Sequence, residues 1–400
     1  MAKERSEVER QIADLLNTAR DSLQLSVAFM SRLDGVTQHL EVVEASAPLA
    51  LFLKDGVTQK QSSSFCQAIL DGRLPAVIPD VKQFPEAMAL PAAKLPRFRS
   101  YVSAPIVLSD GSLYGTLCAA GLSSDKELSK RDEALMQVLA HAAAVILEPT
   151  VLERNRALEI EGRLKPLMFD GGPEVVFQPI VELVTGGRVG AEALSRFPAD
   201  WGLAPDLAFE EAHSIGLGDR LELLALECAA RHLNTVTGYV AMNVSPSTVM
   251  APESLAFLTR LPLDRIVLEL SEHDPVQNYP ELVAALAPLR AQGMRVAIDD
   301  VGAGFSTLRH IVLTSPDIIK LDRSIVDGVS VDPVLQSLVR SLVDFGHGCN
   351  ARVVAEGIET VTDANMLTGL GVDYGQGYYF GRPGPVDALS DATPFALPAF

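Results

Sequence analysis

The sequence predicts two domains of different fold class, an α+β domain over residues 1–150 and an α/β barrel over residues 160–400. The first 150 residues alternate in hydrophobicity between turn signals, as the strands of an antiparallel sheet do. After residue 170, eight strand-like runs are separated by helical stretches, a pattern typical of parallel β/α architectures. The first two of these runs are joined by too few residues for a crossover helix. We therefore expect a TIM-like (β/α)8 barrel with one antiparallel strand.

The N-terminal domain begins with a predicted helix, because apolar residues recur at helical spacing within residues 4–22. The Asp110-Gly111 dipeptide lies directly between two strand-like runs and is a hairpin signal. A long helix is predicted from Ser129, where a capping-box pattern occurs. Pro149 is expected to end that helix, with residues 151–168 following as a helical linker. Helix, junction and helix would form a connection between the two domains.

The lengths of the connections between the predicted barrel strands indicate which strands are antiparallel and which are parallel. The connection between the first two is only about six residues long, so these two strands are expected to form a hairpin. The remaining connections are long enough for helices. The eight runs are residues 175–181, 190–195, 239–244, 266–270, 295–298, 318–321, 352–355 and 374–380.

Composition excludes several functional classes. The chain has a formal net charge of −18, which repels polyanions such as nucleic acids and anionic membranes at long range. The four cysteines are far apart and form no C-x-x-C pair, which indicates free thiols in a reducing compartment. The N-terminal residues do not resemble a secretory signal, and no stretch approaches the ~18 uninterrupted apolar residues of a membrane span. We expect a cytoplasmic protein with no membrane and no nucleic-acid polymer as partner.

Polar and charged residues recur at the ends of the predicted strands. The C-terminal ends of barrel strands form the active site in this architecture, so these side chains are expected to converge. Converging carboxylates repel one another unless cations lie between them, and hard oxygen ligands suit Mg²⁺ or Mn²⁺. Taken singly, each residue has an ordinary interpretation, such as a surface carboxylate or a helix cap. The strand-end residues are Glu192, Asn243, Glu269, Asp299, Asp300, Lys320, Glu356 and Gln376.

An ordered set of motifs resembles the EAL family of cyclic di-GMP phosphodiesterases over residues 160–390. The resemblance implies hydrolysis of cyclic di-GMP to linear pGpG by a water that two metal ions activate. It rests on the order of the motifs, because each one alone is a weak signal. The motifs are Gln178-Pro179-Ile180, Glu192-Ala193-Leu194-x-Arg196, Asn243-Val244-Ser245, Glu269-Leu270-Ser271-Glu272, Asp299-Asp300-Val301-Gly302-Ala303-Gly304, Ile319-Lys320-Leu321-Asp322, Ala355-Glu356-Gly357 and Gln376-Gly377-Tyr378.

The EAL resemblance also implies a role for each residue. Lys320 would orient the attacking water or neutralise charge developing on the phosphoryl oxygens. Glu192 and Glu356 are the other two implied catalytic residues. Glu272 would stabilise the loop that follows Asp300. The implied ligands of two Mg²⁺ or Mn²⁺ ions, with Asp299 shared, are Glu192, Asn243, Glu269, Asp299, Asp300 and Glu356. The implied substrate-binding residues are Gln178, Leu194, Arg196 and Gln376.

Residues 1–150 resemble a GAF domain, a sensory and dimerisation module. The resemblance is carried by residues 64–69, 76–81, 100–106 and 110–118. It implies that the GAF domain regulates the barrel and that the chain forms a homodimer. Some GAF domains bind a small molecule, but the sequence does not identify one here.

The loop after the two aspartates differs from the usual EAL pattern. Both glycines are kept, whereas Val301, Ala303 and Phe305 stand where Phe, Thr and Tyr are common. The ligand residues are intact, so these changes concern rate and regulation more than chemistry. Two alternatives to an active enzyme follow, a non-catalytic receptor for cyclic di-GMP and a scaffold that binds a protein through an unused barrel.

Overall fold

The computed structural model describes residues 5–47, 49–94, 96–271, 276, 278–302 and 307–389. The chain divides into two compact units, Met1–Arg156 and Ala157–Phe400. Each unit has its own hydrophobic core, as two separate domains do.

The first unit contains a six-stranded antiparallel sheet with the strand order β3-β2-β1-β6-β5-β4. Short helices and one long helix complete it. The strands are β1 Val27–Leu33, β2 Thr37–Ala45, β3 Thr58–Lys60, β4 Val77–Ile78, β5 Ser100–Val107 and β6 Leu113–Gly121. The helices are α1 Glu7–Leu23, α2 Phe65–Leu70, α3 Pro85–Ala89, α4 Pro91–Lys94 and the first part of α5 Lys130–Phe169, whose last residues belong to the second unit.

Both faces of this sheet are buried, and strand β1 shows how its residues alternate between them. Ala28 and Met30 pack in the cluster formed by α1 and the first part of α5. Val27 and Phe29 point to the opposite face and pack in a second cluster that includes α2. Such alternation follows from the two-residue period of a strand. The prediction of an α+β domain is confirmed.

Helix α5 is continuous through Pro149, so the break predicted there is wrong. A proline removes only the hydrogen bond to the carbonyl four residues earlier, that of Val145. Both residues lie on the exposed face of the helix, where water can hydrate that carbonyl. By length and composition alone, α5 is also long and apolar enough to cross a membrane. Its first part packs against the sheet, and the expectation of no membrane partner stays a prediction, as does the linker role of residues 151–168.

The second unit is a closed eight-stranded barrel with the order β10-β11-β12-β13-β14-β7-β8-β9. Strand β7 pairs antiparallel with both neighbours, and the other pairs are parallel. The barrel with one reversed strand is therefore confirmed. The strands are β7 Glu174–Glu182, β8 Arg188–Arg196, β9 Tyr239–Asn243, β10 Ile266–Ser271, β11 Arg295–Val301, β12 Ile318–Leu321, β13 Arg352–Ala355 and β14 Tyr374–Gly375.

Strand β14 is much shorter than the predicted run of residues 374–380. Gly377 has a positive φ of 154°, and a Cβ atom there would lie 2.2 Å from the carbonyl oxygen of Ile358. The chain turns at this close approach, which glycine permits, so the strand ends.

Helices surround the barrel and bury its outer surface. Apolar residues of most of these helices form one large cluster with the outward-facing residues of the strands. The helices are α6 Pro205–Ser214, α7 Gly218–Ala230, α8 Pro246–Met250, α9 Pro252–Leu258, α10 Tyr279–Arg290, α11 Thr307–Thr314, α12 Arg323–Val326, α13 Pro333–Gly348 and α14 Val361–Leu370.

Candidate active site

An apolar layer fills the barrel interior below the site. It contains one residue from each of several strands, among them Ala241, Val267, Ala297, Ile318 and Val354. Since side chains two positions apart on a strand point to the same face, the residue two positions further along each strand lies in the next layer. Those next residues are Asn243, Glu269, Asp299, Lys320 and Glu356. The strand period therefore places the predicted residues together in one polar layer at the C-terminal ends of the strands.

Lys320 lies at the centre of this polar layer and is only 1% exposed. Its Nζ atom is 2.8 Å from Glu269 Oε2 and 3.1 Å from Asp299 Oδ2. It is also 2.6 Å from Glu356 Oε1 and 3.7 Å from Glu192 Oε1. Burial alone would lower the pKa of Lys320, but the four carboxylates outweigh it and raise that pKa well above its usual value. The side chain is a permanent cation within a cluster of acids.

The carboxylates form two groups that share Asp299. Glu192, Glu269 and Asp299 offer oxygens within 4.8 Å of one another, and so do Asp299, Asp300 and Glu356. Asp300 adopts a left-handed backbone conformation with φ of 59°, which is unusual for a residue other than glycine. Its backbone N–H donates to Asp299 Oδ1 at 2.9 Å. Strain of this kind is typical of functional sites, where the surroundings hold it in place.

Burial and the neighbouring carboxylates raise the pKa of two of these acids, Glu269 and Glu356. Burial, partly offset by Lys320 and reinforced by Asp299 and Glu192, raises the pKa of Glu356 from 4.5 to about 8. Burial likewise raises the pKa of Glu269 well above its usual value. More negative charge is gathered here than one ammonium group balances, which is the condition that favours binding of cations.

The raised pKa of Glu356 predicts opposite pH trends for stability and for cation binding. Its contribution to folding is complete below pH 4.5 and is lost as the pH rises to about 8, because over that range the unfolded state has released a proton that the native state still holds. We expect the melting temperature of the metal-free protein to fall between pH 4.5 and about pH 8. Mn²⁺ affinity should rise by up to about tenfold per pH unit, since binding displaces the proton.

Calorimetry with EDTA and titration with Mn²⁺, each between pH 5 and 9, measure both trends. Glu356→Gln is the matched variant, because it keeps the shape and removes the titration. Both trends should be weaker in that variant. Identical slopes in the two proteins would contradict the assignment.

The amide side chains of the layer fix the Glu192 carboxylate. Asn243 Nδ2 donates to Glu192 Oε1 at 2.9 Å, and Gln376 Nε2 donates to Glu192 Oε2 at 2.6 Å. Gln376 Nε2 also donates to Gln178 Oε1 at 3.0 Å, and Gln178 donates to the Gly381 carbonyl. Gln178 and Gln376 are thus brought to Glu192, inside the barrel.

A cavity of about 800 Å³ opens beside the polar layer, within the size range of small-molecule sites. Asn243 and Glu269 of the polar layer line this cavity, together with Leu194 and Arg196. Helices α6 and α7 form the opposite side. Arg196 Nη1 donates to the Ser195 carbonyl at 2.8 Å. Glu272 and residues 303–306 of the variant loop lie outside the described residues.

Comparison with known proteins identifies both domains. The EAL domain model matches residues 168–383, more than half of the chain, and the GAF domain model matches residues 7–147. The chain belongs to the EAL family.

Individual proteins also match part of the chain. An uncharacterized protein of Azorhizobium caulinodans is 33% identical over 256 residues, 59% of this chain and 35% of that protein. Cyclic di-GMP phosphodiesterase PdeL of Escherichia coli is 32% identical over 222 residues, 52% of this chain and 61% of that protein. Both matches span less than two thirds of the relative. The structure of PaMucR phosphodiesterase in a c-di-GMP complex has a TM-score of 0.52 and 26% identity, and covers 58% of this chain and 99% of that chain.

One buried carboxylate that lines the cavity of about 800 Å³ was not predicted from the sequence. Glu222 of α7 accepts hydrogen bonds from the Ser245 backbone N–H at 2.8 Å and from the Ser245 hydroxyl at 2.7 Å. His213 Nε2 lies 2.6 Å from its other oxygen. Ser245 follows Asn243 by two residues, so Glu222 fixes the chain just after a candidate ligand. The only sequence signal was a carboxylate within an apolar helix face.

Replacing Glu222 with alanine is expected to weaken Mn²⁺ binding about 10- to 100-fold, as loss of groups behind metal ligands does. It should also destabilise the barrel by about 1–3 kcal/mol, because the Ser245 N–H loses its acceptor. Glu222→Gln keeps one acceptor oxygen and should recover most of both losses. Metal titration and thermal unfolding measure these effects. Full Mn²⁺ affinity in a folded Glu222→Ala variant would show that Glu222 does not position the site.

Proposed function

We propose that this chain hydrolyses cyclic di-GMP to linear pGpG in the presence of Mg²⁺ or Mn²⁺. The observation that carries the proposal is the pair of carboxylate groups sharing Asp299, which surround buried Lys320 beside the cavity of about 800 Å³. The name of the Escherichia coli relative and the c-di-GMP complex of PaMucR support the substrate class.

The donors present fit two hard divalent cations. One group would consist of Glu192, Glu269 and Asp299, together with the Asn243 side chain, and the other of Asp299, Asp300 and Glu356. Carboxylate and amide oxygens are the ligands that Mg²⁺ and Mn²⁺ prefer. When bound, these ions supply neutralisation of the phosphate charge and a water of lowered pKa.

Side chains of the site would bind the phosphodiester and neutralise the negative charge that develops on it. Lys320 Nζ, held by four carboxylates, is placed to donate to a phosphoryl oxygen as negative charge develops there. Glu356, as the ionised carboxylate left when a cation displaces its proton, would accept a hydrogen bond from the attacking water. Arg196 on the cavity wall offers a planar cation to the second phosphate, and Leu194 beside it offers an apolar surface to a base.

Gln178 and Gln376 are the other two proposed substrate-binding residues, and they also act on Glu192. Their chain of amide hydrogen bonds ends on Glu192 Oε2 and keeps that carboxylate in one orientation. Gln376 would also position water or ligand near Glu192. Orientation of this kind lowers the reorganisation that the reaction would otherwise require. We assign Glu272 to support of the loop after Asp300, as in the family pattern.

For the whole chain, we propose a cytoplasmic homodimer in which residues 1–150 regulate residues 160–400, joined through residues 151–168. The GAF domain match supports a regulatory role for the N-terminal part. A small-molecule ligand of the GAF domain would act through it. The net charge of −18 argues against a nucleic-acid polymer as substrate.

The test is incubation of the 400-residue chain with cyclic di-GMP and Mg²⁺, Mn²⁺ or EDTA, with chromatographic detection of pGpG. Product is expected with either ion and not with EDTA, and Glu192→Gln should form none. Calorimetric titration with the nucleotide in EDTA separates the alternatives. Binding without turnover in any ion would identify a receptor, and neither binding nor turnover would identify a scaffold.

A further inference from the structure

Two cysteines that are distant in the sequence lie in contact in the core of the GAF domain. Cys66 on α2 and Cys118 on β6 have sulfur atoms 3.2 Å apart, although 52 positions separate them in the chain. Both are buried, with exposures of 1% and 0%. The other two cysteines, Cys228 and Cys349, belong to the barrel.

Polar side chains surround the two thiols within a core that is otherwise apolar. Gln38 Nε2 donates to Cys66 Sγ at 3.0 Å, and the Tyr101 hydroxyl lies 3.2 Å from the same sulfur. The Ser103 hydroxyl lies 3.2 Å from Cys118 Sγ, which itself donates to Thr116 Oγ1 at 3.3 Å. Donors directed at a sulfur stabilise its thiolate, the reactive form of cysteine.

We propose that Cys66 and Cys118 are a modification site, at which a hydroperoxide converts the two thiols to a reversible disulfide. Cys66, which receives the Gln38 amide N–H, is the attacking sulfur. Cys118, whose sulfur lies 3.2 Å from the Cys66 sulfur, is the resolving thiol.

The reaction balances in two steps. The Cys66 sulfur attacks one oxygen of hydrogen peroxide, the O–O bond breaks, and a sulfenic acid and one water result. Cys118 then attacks the sulfenic sulfur, the S–S bond forms, and the S–O bond breaks to release a second water. Two thiols lose two electrons and two protons in total, and the peroxide gains them. An organic hydroperoxide would give its alcohol in place of the first water.

The local chemistry and geometry agree with this assignment. Burial would raise the pKa of Cys66, but hydrogen bonds from Cys118, Thr116, Tyr101 and Gln38 outweigh it and lower that pKa to about 6. Burial raises the pKa of Cys118 well above its usual value, so this sulfur keeps its proton. A disulfide bond is about 2.05 Å long, so the sulfurs need to approach by only about 1 Å.

Peptide mapping of the native 400-residue chain tests the proposal. The protein is treated with hydrogen peroxide, quenched, unfolded in excess N-ethylmaleimide and digested with trypsin. Cleavage after Lys60 and Arg73 gives residues 61–73, and cleavage after Arg99 and Lys126 gives residues 100–126, with one cysteine in each peptide. We expect these two peptides linked, two hydrogen atoms lighter than their sum, and released by dithiothreitol.

The cysteines of the barrel supply an internal control. Exposed Cys349 reports that the peroxide dose was sufficient. Complete N-ethylmaleimide labelling of Cys66 and Cys118 at a dose that oxidises Cys349 would overturn the proposal. So would linkage of either residue to Cys228 or Cys349 in place of the expected pair.

Cys118→Ser tests the order of the steps, with the melting temperature confirming that the variant is folded. Without a resolving thiol, the Cys66 sulfenic acid should persist and react with dimedone. Cys66→Ser should give no dimedone adduct on Cys118. The reverse distribution of adducts, or none in either folded variant, would contradict the assigned roles.

Discussion

Replacing Lys320 with methionine is expected to slow hydrolysis severely and to destabilise the metal-free barrel. The ammonium lies within 4 Å of four carboxylates, and its removal leaves them without their buried counter-ion. Breaking a buried ion pair by removing one partner typically costs about 3–5 kcal/mol. The rate should fall on the order of a thousandfold, the scale of losing one group that stabilises transition-state charge.

The destabilisation should depend on pH with a definite sign. Without Lys320, which lowers the pKa of both Glu269 and Glu356, those two pKa values lie still further above their unfolded values. Stability is then present at low pH and is lost as the pH rises through the native pKa values. We expect the melting temperature of Lys320→Met, measured with EDTA, to lie further below that of the parent protein at pH 8 than at pH 5.

Lys165→Met is the matched control, because this side chain is 67% exposed and pairs with Glu161 on the same helix. It should change neither activity nor melting temperature measurably. A metal-free Lys320→Met protein as stable as the parent at pH 8 would contradict the central position assigned to Lys320.

Replacing Asp299 with asparagine is expected to reduce hydrolysis on the order of a thousandfold without destabilising the fold. Asp299 is the one carboxylate common to both groups, so this substitution weakens both proposed cation sites. It also removes a negative charge from a cluster with excess negative charge, which should leave metal-free stability equal or higher. The side-chain oxygen can still accept from the Asp300 N–H.

Steady-state kinetics and thermal unfolding with EDTA measure the two effects of Asp299→Asn. Asp344→Asn, on the exposed face of α13, is the control for loss of an aspartate elsewhere in the barrel. Activity within tenfold of the parent would exclude a shared role for Asp299. A large loss of stability would instead indicate that Asp299 acts mainly through its ion pair with Lys320.

The sequence predicted the polar layer because two simple periods determine it. Parallel strands in a closed barrel bring their C-terminal ends together, and alternate residues on a strand share a face. Asn243, Glu269 and Glu356 therefore converge whatever the details of packing. The position of Lys320 among four carboxylates was not predictable, because distances across the barrel depend on how its strands close. The prediction that the helix ends at Pro149 was wrong, because a single exposed proline removes only one hydrogen bond, on the face where water can replace it.

Contacts between distant parts of the chain left no pattern in the sequence. Cys66 and Cys118 meet because α2 lies over the face of the sheet to which Cys118 points. Glu222 reaches Ser245 because of the rotation of α7 against β9, which apolar spacing alone does not determine. In both cases a polar or sulfur-containing residue lies within an otherwise apolar face. The sequence shows that such a residue is unusual, but it does not show which distant residue it contacts.

The most direct test of the central claim is hydrolysis of cyclic di-GMP with Mn²⁺ in ¹⁸O-labelled water, followed by mass spectrometry of the product. Attack of water on phosphorus with departure of the 3′ oxygen predicts pGpG that carries one ¹⁸O in its 5′-phosphate. Glu192→Gln and Asp299→Asn should give almost none. Unchanged cyclic di-GMP, or a product without the label, would contradict the assignment of this site as a phosphodiesterase.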